Sequence, residues 1–336
     1  MAQKILVTGA GGYIGSVATQ LLLQGGFDVV VLDNFTTGFR APLEHLQQQF
    51  GQNRLRIYAL DLRDDLSPLF STEKDIAAVL HYAASCSVNE SMEHPEKYFS
   101  NNVWGSAHLL DTLLQNGITK IVFSSTCAVY GEAEYVPVDE AHPTRPANTY
   151  GESKKMIETM IHWYGQLKGL SFVILRYFNV CGCSDDGTIG DSKKPSSLLV
   201  QNAVRGALGI EPFRLTYPEV DTPDKSPIRD YINVVDLGLA HLKALDYLGK
   251  GGRSDIINLG TGTGNSVLEI VKKVEYVTHY QFDLQKAEPR KGEYAKMIAA
   301  TDKAKSLLDW VPQRSLDQTI TSLVTWYKAH PQGWDH

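Results

Sequence analysis

The sequence predicts an α/β fold: a Rossmann-type doubly wound parallel sheet, followed by a smaller C-terminal α/β substrate domain. Three observations carry this prediction. Ile5-Leu6-Val7 is a short, β-branched apolar run that ends directly in Gly9-x-x-Gly12-x-x-Gly15. Helical spacing then runs from Ile14 to Leu23, stops at Gly25-Gly26, and gives way to the apolar run Val29–Leu32, closed by Asp33. That is strand, glycine turn, helix, strand, a crossover unit that requires parallel pairing. The same alternation repeats as far as residue 178.

The later elements follow from the same periodicities. Strands are expected over Leu55–Leu60, Ala77–Ala83, Lys120–Ser124 and Phe172–Tyr177, where apolar and β-branched residues run together. Long helices are expected over Pro95–Leu114 and Tyr150–Leu167. Residues 181–195 are polar and interrupted by Gly182, Gly187, Gly190 and Pro195, the pattern of a long functional loop. A helix near Ser197–Ala207 and a second polar loop, Pro218–Pro227, lead to a strand over Ile228–Ile232. Helix, strand and helix resume over Val235–Tyr247, Ile256–Leu259 and Val267–Val277, and helices at Asp302–Leu308 and Leu316–Ala329 complete the pattern. The expected division is a dinucleotide-binding domain over 1–178 and a mainly substrate-binding domain over 179–336, some of whose segments return to pack on the first.

Composition narrows the function classes. The 336 residues carry a net charge of −6 and no Lys/Arg run, which argues against nucleic acid as a partner. Apolar runs fall well short of the ~18 residues a membrane span needs, so no membrane association is expected. Cys86, Cys127, Cys181 and Cys183 lack the spacing of a metal site, and none is expected. Reduced, buried thiols and no leader-like segment at Met1 point to the cytoplasm.

Four features carry chemistry. The glycine turn sits after a strand and opens a helix, where glycines permit close approach and free N–H groups receive a diphosphate. Asp33, about twenty residues on, ends the second strand and can accept ribose hydroxyls; it would repel a 2′-phosphate, which favours NAD over NADP. Asp61 ends the third strand near the expected adenine edge. Tyr150 and Lys154 are i and i+4 at a helix start, so they share a face. A neighbouring ammonium favours the phenolate and makes the pair a proton-transfer device. Ser124-Ser125-Thr126 places hydroxyls at the carboxyl edge of the sheet. Taken singly, each has a plainer reading: a structural turn, a capping acid, a surface tyrosine, hydroxyls that turn the chain. It is their order along one half of the chain that points to an enzyme.

These stretches resemble the extended short-chain dehydrogenase/reductase family, within it the sugar-nucleotide enzymes. The likeness also runs through Leu32-Asp33-Asn34, His81-Tyr82-Ala83-Ala84, Asn101-Asn102-Val103, Val129-Tyr130-Gly131, Leu175–Val180, Asp221–Asp224, Arg229–Ile232 and Asn258–Gly260. The resemblance implies NAD as cofactor, a UDP-sugar as substrate, a homodimer, and inversion at C4 of a UDP-hexose (UDP-glucose and UDP-galactose interconverting) through a transient 4-keto sugar. It implies a catalytic triad of Thr126, Tyr150 and Lys154. The implied cofactor contacts are Tyr13, Ile14, Asp33, Asn34, Gly38, Asp61, Leu62, Tyr82, Ala83, Ala84, Asn101, Ser124, Tyr177 and Phe178, beside Gly9, Gly12 and Gly15. Asn179, Arg229 and Arg290 are implied for the UDP, with Ser197 and Leu198 near its uridine. For Arg229 an ion pair with Asp230 or Asp224 is the structural alternative.

The chain departs from the family pattern at four places. Ser197-Leu198 and Leu215-Thr216-Tyr217-Pro218 differ around the uridine, Cys86 replaces a cofactor-contacting lysine, and Met297 stands where a bulky tyrosine can limit N-acetyl room. Sibling dehydratases carry an Asp-Glu pair directly after the Thr, and decarboxylases a Glu in that stretch. Here those positions are Cys127 and Ala128, which cannot act as acid and base. Epimerases of UDP-N-acetylglucosamine, UDP-glucuronate or UDP-xylose share every motif and remain alternatives. A non-catalytic NAD-binding scaffold would show a broken triad, and all three members are present.

Overall fold

The computed structural model describes residues 2–194, 196–215, 217–283 and 294–334. Its strands are β1 (Lys4–Thr8), β2 (Asp28–Asp33), β3 (Leu55–Ala59), β4 (Ile76–His81), β5 (Lys120–Thr126), β6 (Ser171–Tyr177), β7 (Asn179–Cys181), β8 (Ile228–Asn233), β9 (Asp255–Leu259), β10 (Gly264–Ser266) and β11 (Lys296–Met297). Its helices are α1 (Tyr13–Gln24), α2 (Ala41–Phe50), α3 (Ser67–Thr72), α4 (Val88–Glu93), α5 (Pro95–Tyr98), α6 (Gly105–Gln115), α7 (Thr149–Lys168), α8 (Leu199–Ala207), α9 (Val234–Gly249), α10 (Val267–Thr278), α11 (Asp302–Leu308) and α12 (Leu316–Ala329).

Seven parallel strands form the main sheet in the order β3-β2-β1-β4-β5-β6-β9. Strand order reverses between β1 and β4, and that is where such sheets open a crevice at their carboxyl ends. The alternation of side chains explains why both faces are covered. Ile5, Val7, Val29 and Val31 pack with α1 and α9, whereas Leu6, Val30 and Leu32 share a core with Leu109, Leu110, Leu113, Ile157 and Ile161 of α6 and α7. Each such side chain contributes roughly 1.5–3 kcal/mol by leaving water. A second sheet, β10-β8-β11 with β7 beside β8, stands at the carboxyl end of the first.

α7 is fixed at both ends. The Asn148 side chain accepts from the Gly151 amide at 2.8 Å, and Gly169 ends the helix in the left-handed region at φ 74°. Tyr150 and Lys154 therefore sit in a helix whose start cannot slide.

Three expectations need correction. The stretch Pro95–Leu114 is not one regular helix: Phe99–Trp104 forms a π-helical turn between α5 and α6. That turn carries Asn102 inward, where its amide donates to the Ser85 carbonyl (3.0 Å) and the Ser153 hydroxyl (3.1 Å), a local gain that a plain helical period would forgo. Residues 179–181, adjoining the polar loop, pair as a strand with β8. Of the four cysteines only Cys181 and Cys183 are buried; Cys86 is exposed and Cys127 half-buried. No helix among the described residues is long and apolar enough to cross a membrane.

Candidate active site

The glycine turn is built from backbone contact. Gly9 has φ 74°, and a β-carbon there would lie 2.4 Å from the Ala83 amide nitrogen, so β1 and the segment after β4 meet only because residue 9 is glycine. Gly15 approaches the Gly9 carbonyl in the same way, at 2.3 Å for a β-carbon. α1 starts at Gly12 with no side-chain cap and no acid in its first turn, so its amides and positive end face outward. The Tyr13 hydroxyl donates to the Gly182 carbonyl at 2.5 Å and ties the turn to the loop after β7.

Asp33 does more than the sequence suggested. One carboxylate oxygen accepts from the Gly11 amide at 2.8 Å, the other from the Phe35 amide at 2.7 Å. It thus pins the glycine turn to the end of β2 and retains lone pairs for further donors. Burial raises its pKa, and the two amides oppose that shift. Asp61 is engaged differently. Its oxygens accept from Arg63 in a two-pronged pair (2.8 and 2.7 Å), from the Arg63 amide and from Asn34, which holds its carboxyl well below the usual range. Its acceptor positions are filled by these partners.

Tyr150 and Lys154, one turn apart, both turn to the end of β5. The Lys154 ammonium donates to the Ser124 carbonyl at 2.9 Å and lies 4.8 Å from the centre of the Phe123 ring. Burial lowers its pKa to about 8. Burial also drives the Tyr150 phenol well above its ordinary value, while a hydrogen bond with Thr126 pulls it down. The neighbouring ammonium, expected to favour the phenolate, does not set the sign of the shift. Desolvation outweighs it, because both side chains are almost wholly buried. Thr126 also caps the turn that follows, accepting from the Ala128 amide at 3.1 Å, so the capping and the site-facing readings hold together. The Tyr177 and Ser124 hydroxyls lie 2.8 Å apart beside it.

The second sheet brings the remaining residues up. Asn179 in β7 pairs with Tyr231 in β8, two residues from Arg229. Asp230 accepts from Thr261, Gly262 and Ala299, and Asp224 from Ser226 and Ser266. Among the described residues Arg229 forms no ion pair with either; its charge bears instead on Cys127 and Tyr294. Ser197 and Leu198 lead into α8, with Leu198 at its cap position. Met297 lies opposite Arg229 in the β8–β11 pairing and packs with Phe178, Val129 and Tyr130. Arg290 and Thr216 lie outside the described residues.

Two supports were not singled out from the sequence. Arg176 holds Glu158 through two nitrogens (2.9 and 2.5 Å) and the Tyr130 hydroxyl at 3.1 Å, and the Ser125 hydroxyl donates to Glu158 at 2.5 Å. A charge inside the apolar run Phe172–Tyr177 was the available signal, since a buried strand arginine needs a partner. His81 bridges Thr8 (2.7 Å) and Ser106 (2.9 Å) across the switch point. Burial, then the nearby Lys154 charge, lowers its pKa to about 3, from 6.5. The folded state therefore refuses a proton that the unfolded chain takes up below pH 6.5. Stability is full above that pH and falls as the pH drops from 6.5 toward 3, by about 1.4 kcal/mol per unit. Urea unfolding of wild-type and His81→Asn protein across this window will show the variant's slope smaller by one proton. Equal slopes would refute a neutral buried imidazole.

The residues present suit a dinucleotide. α1 offers uncapped amides to a diphosphate, Asp33 keeps free lone pairs for a ribose, and the buried Tyr82 hydroxyl has no partner among the described residues. With a phenol and an ammonium beyond it, the crevice defines a dinucleotide-dependent enzyme of the hydride-transfer class. Residues 5–260 match the NAD dependent epimerase/dehydratase family, and the chain belongs to it. It is 42% identical to the UDP-glucose 4-epimerase of Lacticaseibacillus casei over 98% of both chains. A crystal structure of a UDP-glucose 4-epimerase superposes with a TM-score of 0.93 at 39% identity, over 99% of this chain and 100% of that one. The UDP-glucose 4-epimerase of Bifidobacterium longum, in complex with NAD+ and UDP, also gives 0.93, at 31% identity and the same coverage.

Proposed function

We propose that this protein inverts C4 of a UDP-hexose, interconverting UDP-glucose and UDP-galactose, with NAD as a retained cofactor. One observation carries the choice. Tyr150 and Thr126 meet at the end of β5, and the residues that follow, Cys127 and Ala128, add no acid or base. The site is equipped for one reversible proton transfer and not for elimination of water.

When bound, NAD would supply the hydride acceptor and donor for C4, and its positive ring would add to the field favouring a Tyr150 phenolate. The uncapped amides of α1, with Tyr13 and Ile14, hold its diphosphate, and Asp33 holds the adenine ribose, beside Asn34 and Gly38. Asp61 and Leu62 flank the adenine, and Tyr82, Ala83, Ala84, Asn101, Ser124, Tyr177 and Phe178 line the rest. Tyr150 takes the proton of the 4′-hydroxyl and gives it back; Thr126 hydrogen-bonds the same hydroxyl. Lys154, fixed on the Ser124 carbonyl, holds the nicotinamide ribose. The hexose must turn over between the two half-reactions, so binding energy has to come from the UDP. Asn179 and Arg229 grip it, the guanidinium by paired bonds to phosphate oxygens, with Ser197 and Leu198 beside the uridine.

Met297 supports a second substrate range. Its flexible thioether, next to Phe178, leaves more room at C2 than an aromatic ring would, which suits N-acetylated UDP-hexoses. Met92, Phe99, Trp104, Met156, Trp163 and Leu167 are exposed on the α4–α7 side of the molecule. So much apolar surface on neighbouring helices supports a homodimer through this side.

The function is tested by incubating the protein with UDP-galactose and resolving the products by chromatography. UDP-glucose is expected, with no net oxidation. A dehydrated or decarboxylated product, or no exchange at C4 in any UDP-sugar, would refute the reading.

A further inference from the structure

The loop after β7 passes over the opening of α1. Gly190, Asp191, Ser192 and Lys193 face Gly11, Gly12 and Tyr13 across a narrow pocket. The loop is held from behind at one backbone and one side-chain oxygen: the Trp326 ring N–H donates to the Asp191 carbonyl at 3.1 Å, and the Trp334 amide to the Ser192 hydroxyl at 3.1 Å. Position 193 is thus fixed, and its side chain reaches across to the segment after β4, where the ammonium donates to Cys86 Sγ at 3.1 Å.

Sulfur is a weak acceptor for an ammonium. No carboxylate does better. Among the described residues no ion pair includes Lys193: Glu90 is taken by Lys97 (2.6 Å) and Tyr98 (2.9 Å), and Asp191 by the Ser196 hydroxyl (3.0 Å) and the Lys193 amide. A half-buried cation is therefore held between the uncapped start of α1 and the catalytic pair, with most of its donor capacity unspent. Cys86 marks the other end of that span, an electrostatic neighbour of Tyr150, Lys154 and Tyr177. A dinucleotide running from α1 to Lys154 must carry its diphosphate along this path.

We propose that Lys193 is a further binding residue for the dinucleotide's diphosphate, closing the side opposite the α1 amides, with Cys86 as its positioning partner. The assignment rests on the NAD-dependent reading above. A lysine donated by the 181–195 loop makes that loop part of the cofactor site as well as a neighbour of the substrate. A diphosphate of the UDP would offer the same chemistry, so the test separates the two.

NAD+ affinity is measured by equilibrium dialysis, and UDP affinity by calorimetry, for wild-type, Lys193→Gln and Lys193→Arg proteins. Removing one charge-assisted bond to phosphate weakens NAD+ binding roughly tenfold to a hundredfold in Lys193→Gln. Lys193→Arg recovers most of it, and UDP affinity stays at the wild-type value, which also certifies the fold. Unchanged NAD+ affinity in Lys193→Gln overturns the assignment, as does a loss confined to UDP. Should Lys193→Gln fail to fold, Cys86→Ala is measured in its place, and NAD+ affinity indifferent to it overturns the positioning role. Wild-type protein that binds no NAD+ would overturn the functional reading itself, whereas binding indifferent to position 193 overturns this inference alone.

Discussion

Tyr150→Phe is expected to lower turnover ~10²- to 10⁴-fold, the range general acid–base catalysis supplies, while leaving NAD and UDP binding intact. The substitution removes one oxygen from a buried ring that packs edge-on to Tyr98, 6.5 Å between centres, so the fold loses little. What it loses is the proton acceptor. Burial raises this phenol's pKa, and the Thr126 bond opposes that only in part. The positive ring of a bound NAD+ would favour the phenolate against that burial. Stopped-flow turnover and calorimetric UDP binding on one preparation check the split between kcat and affinity. Turnover near that of the wild type would show that another group moves the proton.

Glu158→Gln is expected to cost ~3–5 kcal/mol of stability, because it strands a buried guanidinium. Arg176 and Glu158 are both almost fully buried, and their 2.5 Å contact is the centre of a network that includes Ser125, Tyr130 and Asn258. Arg176 keeps its charge in spite of burial, its pKa raised chiefly by the carboxylate against desolvation. Removing only the acid leaves an uncompensated charge. Replacing both partners, Glu158→Leu with Arg176→Met, restores much of the loss, since two apolar side chains of similar volume carry no desolvation cost. Urea unfolding of the three variants measures this. A loss below about 1 kcal/mol in Glu158→Gln would mean the pair is solvated. The network matters for function because Ser125 stands beside Thr126 and Tyr177 follows Arg176. A slackened β5–β6 pair would shift the groups that face Tyr150.

The reaction class follows from the same economy. One phenol and one ammonium serve a reversible proton transfer at a single carbon, and Cys127 and Ala128 add nothing for elimination. The enzyme is a UDP-hexose 4-epimerase that uses NAD, and its relatives of about 40% identity are UDP-glucose 4-epimerases along nearly their whole length.

The parallel sheet, the glycine turn, the acid at Asp33 and the Tyr150/Lys154 pair were legible in the chain itself, because each depends on local periods: two for a strand, three to four for a helix, fixed spacing for the turn. The helix ends at Asp302–Leu308 and Leu316–Ala329 were legible for the same reason. Contacts between residues far apart were not. Glu158 with Arg176, His81 between Thr8 and Ser106, and Asp61 committed to Arg63 and Asn34 emerge only when the sheet brings them together. Protonation was decided at that level too, since the i, i+4 spacing places an ammonium near a phenol but burial sets the sign of the shift. The bridge from Lys193 to Cys86 joins positions 107 apart, and no local pattern encodes a distance that only the packed loop and the switch point create.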